Sequence, residues 1–216
     1  HPPRSATPPG RVASGAWAGF STAPDTARFN PEPVWCDAAP LDWLILSWDG
    51  GGMMHPAAWL APAEVARRAG PWDESLSLDD DGEYFCRVLL ASSGVCFCSG
   101  ARSYYRRHAA GSLSHAKSRR AWESSQRVCQ LVQTSALARE DSARVRHACA
   151  MSHLRFAFNA WPYERDLARA SLHAAAALDP RAKLPPAGAR FNALARLFGW
   201  KAARLLQHRL QRLRAS

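Results

Sequence analysis

No window of the 216-residue chain approaches the run of about 20 apolar residues that a bilayer-spanning helix needs, so a globular protein is expected for most of its length. The N-terminus carries proline and arginine where a secretory signal would need an apolar stretch. The first residue is His1 rather than Met, and a processed product or a fragment is the expectation. Only Cys96-Phe97-Cys98 forms a close cysteine pair among the six at 36, 86, 96, 98, 129 and 149, and no second pair supplies the remaining ligands of a zinc site. Buried free thiols and a reducing cytoplasmic location follow as the default. The Gly50-Gly51-Gly52 run is not followed by the Lys-Ser/Thr of a phosphate-binding loop. It is either a plain tight turn or a backbone that lets a ligand approach. No internal repeat is present.

Acidic residues are missing after Asp179, where nine Lys or Arg remain; subtracting those nine from the net +10 leaves +1, so the basic excess is a property of the tail. Phe191, Leu194, Phe198, Ala202, Leu205, Leu206, Leu210 and Leu213 recur at helical spacing there, opposite Arg204, Arg209 and Arg212. Residues 181–216 therefore predict a basic amphipathic helix with Gly199 as a kink. It is either docked on its own domain with a solvated basic face or laid on an anionic membrane surface. Nucleic acid is not expected as a partner, because exposed aromatics are not interleaved with the charges.

Basic residues are absent in turn from Asp73 to Glu83, the segment around which the chain is organised. Six carboxylates, Asp73, Glu74, Asp79, Asp80, Asp81 and Glu83, lie between a turn and an apolar helix. Like charges so close raise one another's pKa unless a cation, a donor or a substrate offsets them. Residues 62–69 read as a short helix ended by Gly70, with Pro71 blocking continuation. Tyr84, Phe85, Val88, Leu89 and Ala91 form the apolar face of the helix beyond the acids, so the acids sit at its N-terminus, where the macrodipole favours negative charge. Helical geometry puts Asp80, Glu83 and Arg87 on one face and turns Asp81 away from them. A calcium loop does not fit, since Val88 stands where its terminal Glu is required.

The run Gly70-Pro71-Trp72-Asp73-Glu74, followed by Asp80-Asp81-Gly82-Glu83 and Arg87, resembles family-2 glycosyltransferases, which carry Gly-x-(Phe/Trp)-Asp-Glu and then Glu-Asp-x-Asp with an Arg four residues on. Gly50-Gly51-Gly52-Met53-Met54, Trp59-Leu60, Tyr104-Tyr105-Arg106 and Gly111-Ser112-Leu113-Ser114 also look like a branch of that family, in the expected order over roughly residues 41 to 160. The resemblance implies an α/β, A-type glycosyltransferase fold followed by C-terminal helices, and an inverting transfer from a nucleotide-sugar donor to a glycan or lipid-linked acceptor. By the same resemblance Asp81 is the catalytic base. Trp72, Asp73, Glu74, Asp80, Glu83, Arg87 and Arg106 belong to the substrate-binding set, and a divalent metal, Mg or Mn, accompanies the diphosphate with His108 as a ligand. From the residues alone His108 reads rather as a surface-loop histidine, since one ligand does not make a site.

The family's strand-helix nucleotide half and its separate Asp-x-Asp are not found before Leu41, so the chain is expected to be the acceptor-side, C-terminal half of such an enzyme. The alternative is a non-catalytic remnant or accessory module that binds glycan or an anionic membrane, peripheral to the inner face of the membrane. Residues 1–40 hold eight of the 15 prolines and predict an extended or disordered leader with Trp17, Phe20 and Phe29 as anchors. Residues 41–116 are then the catalytic part and 117–180 a helical extension, with helices expected over 119–137, 142–160 and 166–178. Leu41 to Trp48 is compatible with a buried strand or a short helix. Two short strands are expected at Val95–Cys98 and Arg102–Arg106.

Overall fold

Val12–Phe20 forms a strand, β1, at the centre of the only sheet among the described residues. The structure is a computed structural model, and it describes residues 10–107, 118–184 and 188–213. Trp59–Leu60 (β2) pairs with β1 antiparallel on one side, and Val95–Arg106 (β3) pairs with it in parallel on the other. A parallel pair needs a long crossover. Here the connection carries three helices, α1 (Pro40–Leu46), α2 (Ala63–Ala69) and α3 (Asp80–Leu90).

This corrects the expectation of a leader over residues 1–40. The prolines in that segment flank a proline-free window from Gly10 to Ala23, and the strand lies inside it. Averaging the composition over forty residues conceals the window. Val12, Ala13, Ala16, Ala18 and Phe20 are all buried, which small residues permit in a strand covered on both faces. Gly15 is required by close approach: a Cβ there would lie 2.8 Å from the Ala101 Cβ and 2.9 Å from its carbonyl oxygen. The two short strands expected on either side of Ser99-Gly100 are one strand with an irregularity. Pairing jumps from Gly15 opposite Cys98 to Ala16 opposite Arg102, so residues 99–101 loop out over β1.

Leu41 to Trp48, open between strand and helix in the sequence, is helical. Pro40 starts α1, and Leu41, Trp43 and Leu44 are buried. The Trp43 indole donates to the Val34 carbonyl at 2.9 Å, which satisfies its one polar atom inside the core. The glycine run ends a wide helical turn over Ser47–Gly51, with Gly50 at φ 98° and Gly52 at φ 108°, and a Cβ on Gly52 would meet the Glu32 carboxylate at 2.3 Å. Close backbone approach is thus realised within the chain itself.

Four further helices follow among the described residues: α4 (Arg119–Arg139), α5 (Ala143–Ala160), α6 (Arg165–Leu178) and α7 (Ala189–Leu213). The extents of α4, α5 and α6 match the periodicity of the sequence to within one or two residues, whereas α7 begins at Ala189, eight residues after the expected start at 181. They are not an appended extension, however. Val128 and Val132 of α4 enter the same apolar cluster as Val12 and Val95 of the sheet, Trp43 and Leu44 of α1, and Val88 and Leu89 of α3. A second cluster joins Trp122 of α4, Phe156 of α5 and Leu167 of α6 with Trp161 in the turn between the last two. Trp200 and Leu205 of α7 pack on this cluster, with Gly199 at φ 77° breaking the helix as expected. All six cysteines are free. Burial pushes Cys86 and Cys149 up to about 12 and Cys129 up to about 11, which leaves no thiolate nucleophile among those three at neutral pH. Among the described residues no helix is long and apolar enough to cross a membrane.

Candidate functional site

The acidic segment is built around Arg87, which ties helix α3 to the turn that precedes it. Its guanidinium donates to both carboxylate oxygens of Glu83, from Nε at 2.6 Å and Nη2 at 2.8 Å, the bidentate arrangement for which a planar fork is suited. The same group donates to the Ala69 carbonyl and, at 2.9 Å, to that of Pro71. These carbonyls lie at the end of α2, where Gly70 has φ 81° and closes the helix as its sequence position predicts. Glu83 is buried, so its charge is sustained by Arg87. Glu83 and Arg87, placed in the substrate-binding set by resemblance, are therefore positioning groups here.

A second set of contacts was not legible in the sequence. Ser124 and Ser125 are buried in the middle of α4 and point at the turn before α3. The Ser124 hydroxyl accepts from the backbone N–H groups of Ser77 and Leu78 at 2.8 and 3.0 Å and donates to the Leu78 carbonyl at 2.9 Å. The Ser125 hydroxyl donates to the Asp79 carboxylate. Asp79 has φ 59°, the one left-handed non-glycine residue among those described, and aspartate tolerates that region better than most residues. Two serines inside a helix carry no signal of their own, because their partners lie about 46 residues earlier in the chain.

Asp81 follows as the second residue of α3 and lines a cavity of about 670 Å³. Burial is the largest influence on its carboxyl and raises its pKa; Asp79 and Asp80 push in the same direction, against a hydrogen bond of 2.9 Å from the Gly82 N–H. The helix N-terminus alone would favour the anion, so burial and like charge win at this position. His55 lies within the electrostatic reach of Asp81, yet burial outweighs the carboxylate and keeps the imidazole below its ordinary pKa. Its ring packs 4.6 Å from that of Tyr105, and Nδ1 accepts from the Ala57 N–H at 3.3 Å, which leaves the proton on Nε2. The association of His55 with Asp81 is also invisible in the sequence, where 26 residues separate them.

The remaining expected site residues are not gathered at the cavity. Trp72 has one face stacked on Tyr84 at 4.2 Å and is partly exposed outside the cavity lining. The Asp73 carboxylate accepts from the Ser75 N–H at 3.0 Å and the Ser75 hydroxyl at 2.6 Å, and this closed turn holds its pKa below the usual range. Glu74 is exposed, and Asp80 is half-buried outside the lining. Arg106 lies over the Phe20 ring at 5.4 Å, at the far end of β3. The sequence placed these groups together because they are close in the chain or share a motif. Local turns and ring stacking direct each of them elsewhere.

The expected metal ligand His108 and the block Gly111-Ser112-Leu113-Ser114 lie outside the described residues. Among those described, no three His, Cys, Asp or Glu side chains converge as a cation site. Asp79, the carboxylate nearest in sequence to Asp81 on the cavity wall, is already engaged by Ser125. No family model, curated protein or solved structure matches this chain.

Removing Arg87 leaves a buried carboxylate without its partner and frees the α2 carbonyls. Arg87→Ala is expected to cost about 3–5 kcal/mol in chemical denaturation, and the double variant Glu83→Gln with Arg87→Ala to cost less than Arg87→Ala alone. A second expectation concerns Asp81, whose folded-state pKa is raised, so its ionised form opposes folding. Below the carboxylate range Asp81 is neutral in folded and unfolded chains alike, and the opposition grows as pH rises through that range. Asp81→Asn should therefore melt higher than the unsubstituted protein at neutral pH and equal to it in acid. Thermal melts of both proteins across pH read this directly, and a lower melting temperature for the variant at neutral pH would contradict it.

Proposed function

We propose that the chain acts on the acceptor side of an inverting, nucleotide-sugar-dependent glycosyl transfer, with Asp81 as the base. The observation that carries this proposal is a half-buried carboxylate with a raised pKa on the wall of a cavity of about 670 Å³. A sugar hydroxyl is a poor nucleophile near neutral pH. A carboxylate within hydrogen-bond reach takes its proton as the oxygen attacks the anomeric carbon. The new C–O bond forms on the face opposite the nucleoside diphosphate, which leaves with the electrons of the bond it breaks, and the proton ends on Asp81. A raised pKa suits this task, since it makes the carboxylate a stronger base. The Arg87 clamp and the two serines of α4 hold the start of α3 and so hold the position of Asp81.

Asp81→Asn keeps the shape of the side chain and removes its basicity. In the full polypeptide, release of nucleoside diphosphate from nucleotide sugars in the presence of glycan acceptors should fall by about 10²–10⁴-fold in this variant, with circular dichroism unchanged. Retained turnover in the variant, or none in the folded unsubstituted protein with any donor, argues against the transfer.

We also propose that α7 binds an anionic membrane surface. Five of its large apolar side chains, Leu197, Phe198, Leu206, Leu210 and Leu213, are each at least 43% exposed although Trp200 and Leu205 of the same helix are docked. Arg190, Arg196, Lys201, Arg209 and Arg212 are exposed along it. Docking and membrane contact are therefore compatible, because different side chains carry them. Leu206→Ser with Leu210→Ser should weaken sedimentation with vesicles containing anionic lipid by about tenfold or more, given roughly 1.5–3 kcal/mol for burying each leucine. Equal sedimentation of the two proteins would remove the helix from this role.

A further inference from the structure

The cavity that Asp81 borders is lined mainly by aromatic and aliphatic groups. Trp43, Trp48, Trp59, Phe85, Trp122 and Phe156 contribute to its wall. Two cations also line it, Arg155 of α5 and Arg204 of α7. Their positions are linked. Ser152, Arg155 and Asn159 follow one another along one face of α5, and Arg204 reaches that helix by donating from Nε to the Phe158 carbonyl at 3.2 Å, with its guanidinium 4.8 Å over the Phe158 ring. Arg155 from α5 and Arg204 from α7 thus both belong to the wall of this one cavity.

Neither has an anionic partner among the described residues. Arg155 donates to the Trp48 carbonyl, and Arg204 donates to the Gln207 side-chain oxygen at 2.9 Å. Asp49 acts on Arg155 through space but lies in ion-pair reach of His147, 3.6 Å away. Burial disfavours the charge on both arginines and lowers their pKa. A half-buried guanidinium keeps four or five N–H donors, and carbonyl and amide oxygens satisfy only part of that capacity. An anion entering the cavity would supply the charge and the acceptors that are missing. The carboxylates Asp79 and Asp81 belong to the α3 side of the same cavity, so an anion is favoured along α5 and disfavoured at the start of α3.

We propose that this cavity binds an anionic amphiphile, a phosphate-bearing head held by Arg155 and Arg204 with its apolar portion against the tryptophan wall. The volume falls within the range of about 300–1,000 Å³ usual for sites that enclose a small molecule. Arg204 and Gln211 place α7 in the cavity wall, so the helix with exposed leucines also borders the route by which an amphiphile would enter from a lipid surface. Such binding is independent of any proton transfer at Asp81.

Tryptophan fluorescence of the full chain tests this, since four tryptophans line the cavity. The probes are n-decyl phosphate below its aggregation concentration, 1-decanol and inorganic phosphate. Saturable binding of decyl phosphate is expected with an apparent Kd at least about tenfold below that of either other probe. Arg155→Gln and Arg204→Gln should each weaken decyl phosphate by about tenfold and leave decanol unchanged, an effect equivalent to one lost charged contact. Asp81→Asn should bind decyl phosphate at least as tightly as the unsubstituted protein, which separates this result from failure of the transfer assay. Equal affinity for decanol and decyl phosphate would overturn the anion site. Equal affinity for inorganic and decyl phosphate would overturn the amphiphile in favour of a free anion. Arg155 also supports the Trp48 carbonyl; if Arg155→Gln does not fold, Arg204→Gln decides, and unchanged decyl phosphate binding in that variant overturns the proposal.

Discussion

The bidentate contact between Arg87 and Glu83 is the interaction on which the acidic segment depends. A carboxylate as buried as that of Glu83 is tolerated only with a partner, and the partner chosen has donors to spare. Arg87 uses them on the Ala69 and Pro71 carbonyls, which are left open where α2 ends at Gly70. One side chain thereby fixes the angle between two helices and the path of the loop that joins them. A lysine could neutralise Glu83 but could not make the parallel pair of hydrogen bonds and reach both carbonyls.

With α3 held in this way, the turn before it is held from the opposite side by α4. Ser124 satisfies two backbone N–H groups and a carbonyl of that turn, and Ser125 restrains Asp79 in the left-handed region. Asp81 lies two residues on and lines the cavity, with no ion-pair partner among the described residues. Its raised pKa is the electrostatic consequence of being placed there by its neighbours. Of the six carboxylates in the segment, Glu83 is ion-paired with Arg87, Asp73 accepts within a closed turn and Asp79 accepts from a serine at the cavity wall that Asp81 also lines. Clustering in sequence therefore conceals a division of labour.

The cavity has a similar economy of construction. Its walls come from α1, the glycine-ended turn after it, β2, α3, α4, α5 and α7, so every layer of the fold contributes. The aromatic residues that fill the two apolar clusters also line the opening between them, which gives a surface suited to an apolar ligand. Arg155 of α5 and Arg204 of α7 add charge to that wall, and neither is in an ion pair among the described residues.

Helices were legible because their signals are local. Periodicity delimited α4, α5 and α6, Gly70 and Pro71 closed α2, and the spacing of Glu83 and Arg87 by four residues placed them on one face before any coordinates were known. The separation of Asp81 from that pair was legible for the same reason. Strand β1 was not, because its small residues resemble loop composition and its stability comes from pairing with β3, some 80 residues later. The serines of α4, His55 beside Asp81, and the arginines of the cavity were likewise settled only by tertiary structure. By itself the sequence determined where α4, α5 and α6 begin and end and which charges share a helix face, since hydrogen bonds and side-chain contacts within a helix span four residues or fewer. Which strand lies at the centre and which carboxylates and arginines line the cavity depend on contacts between distant segments, and those exist only once the chain has folded.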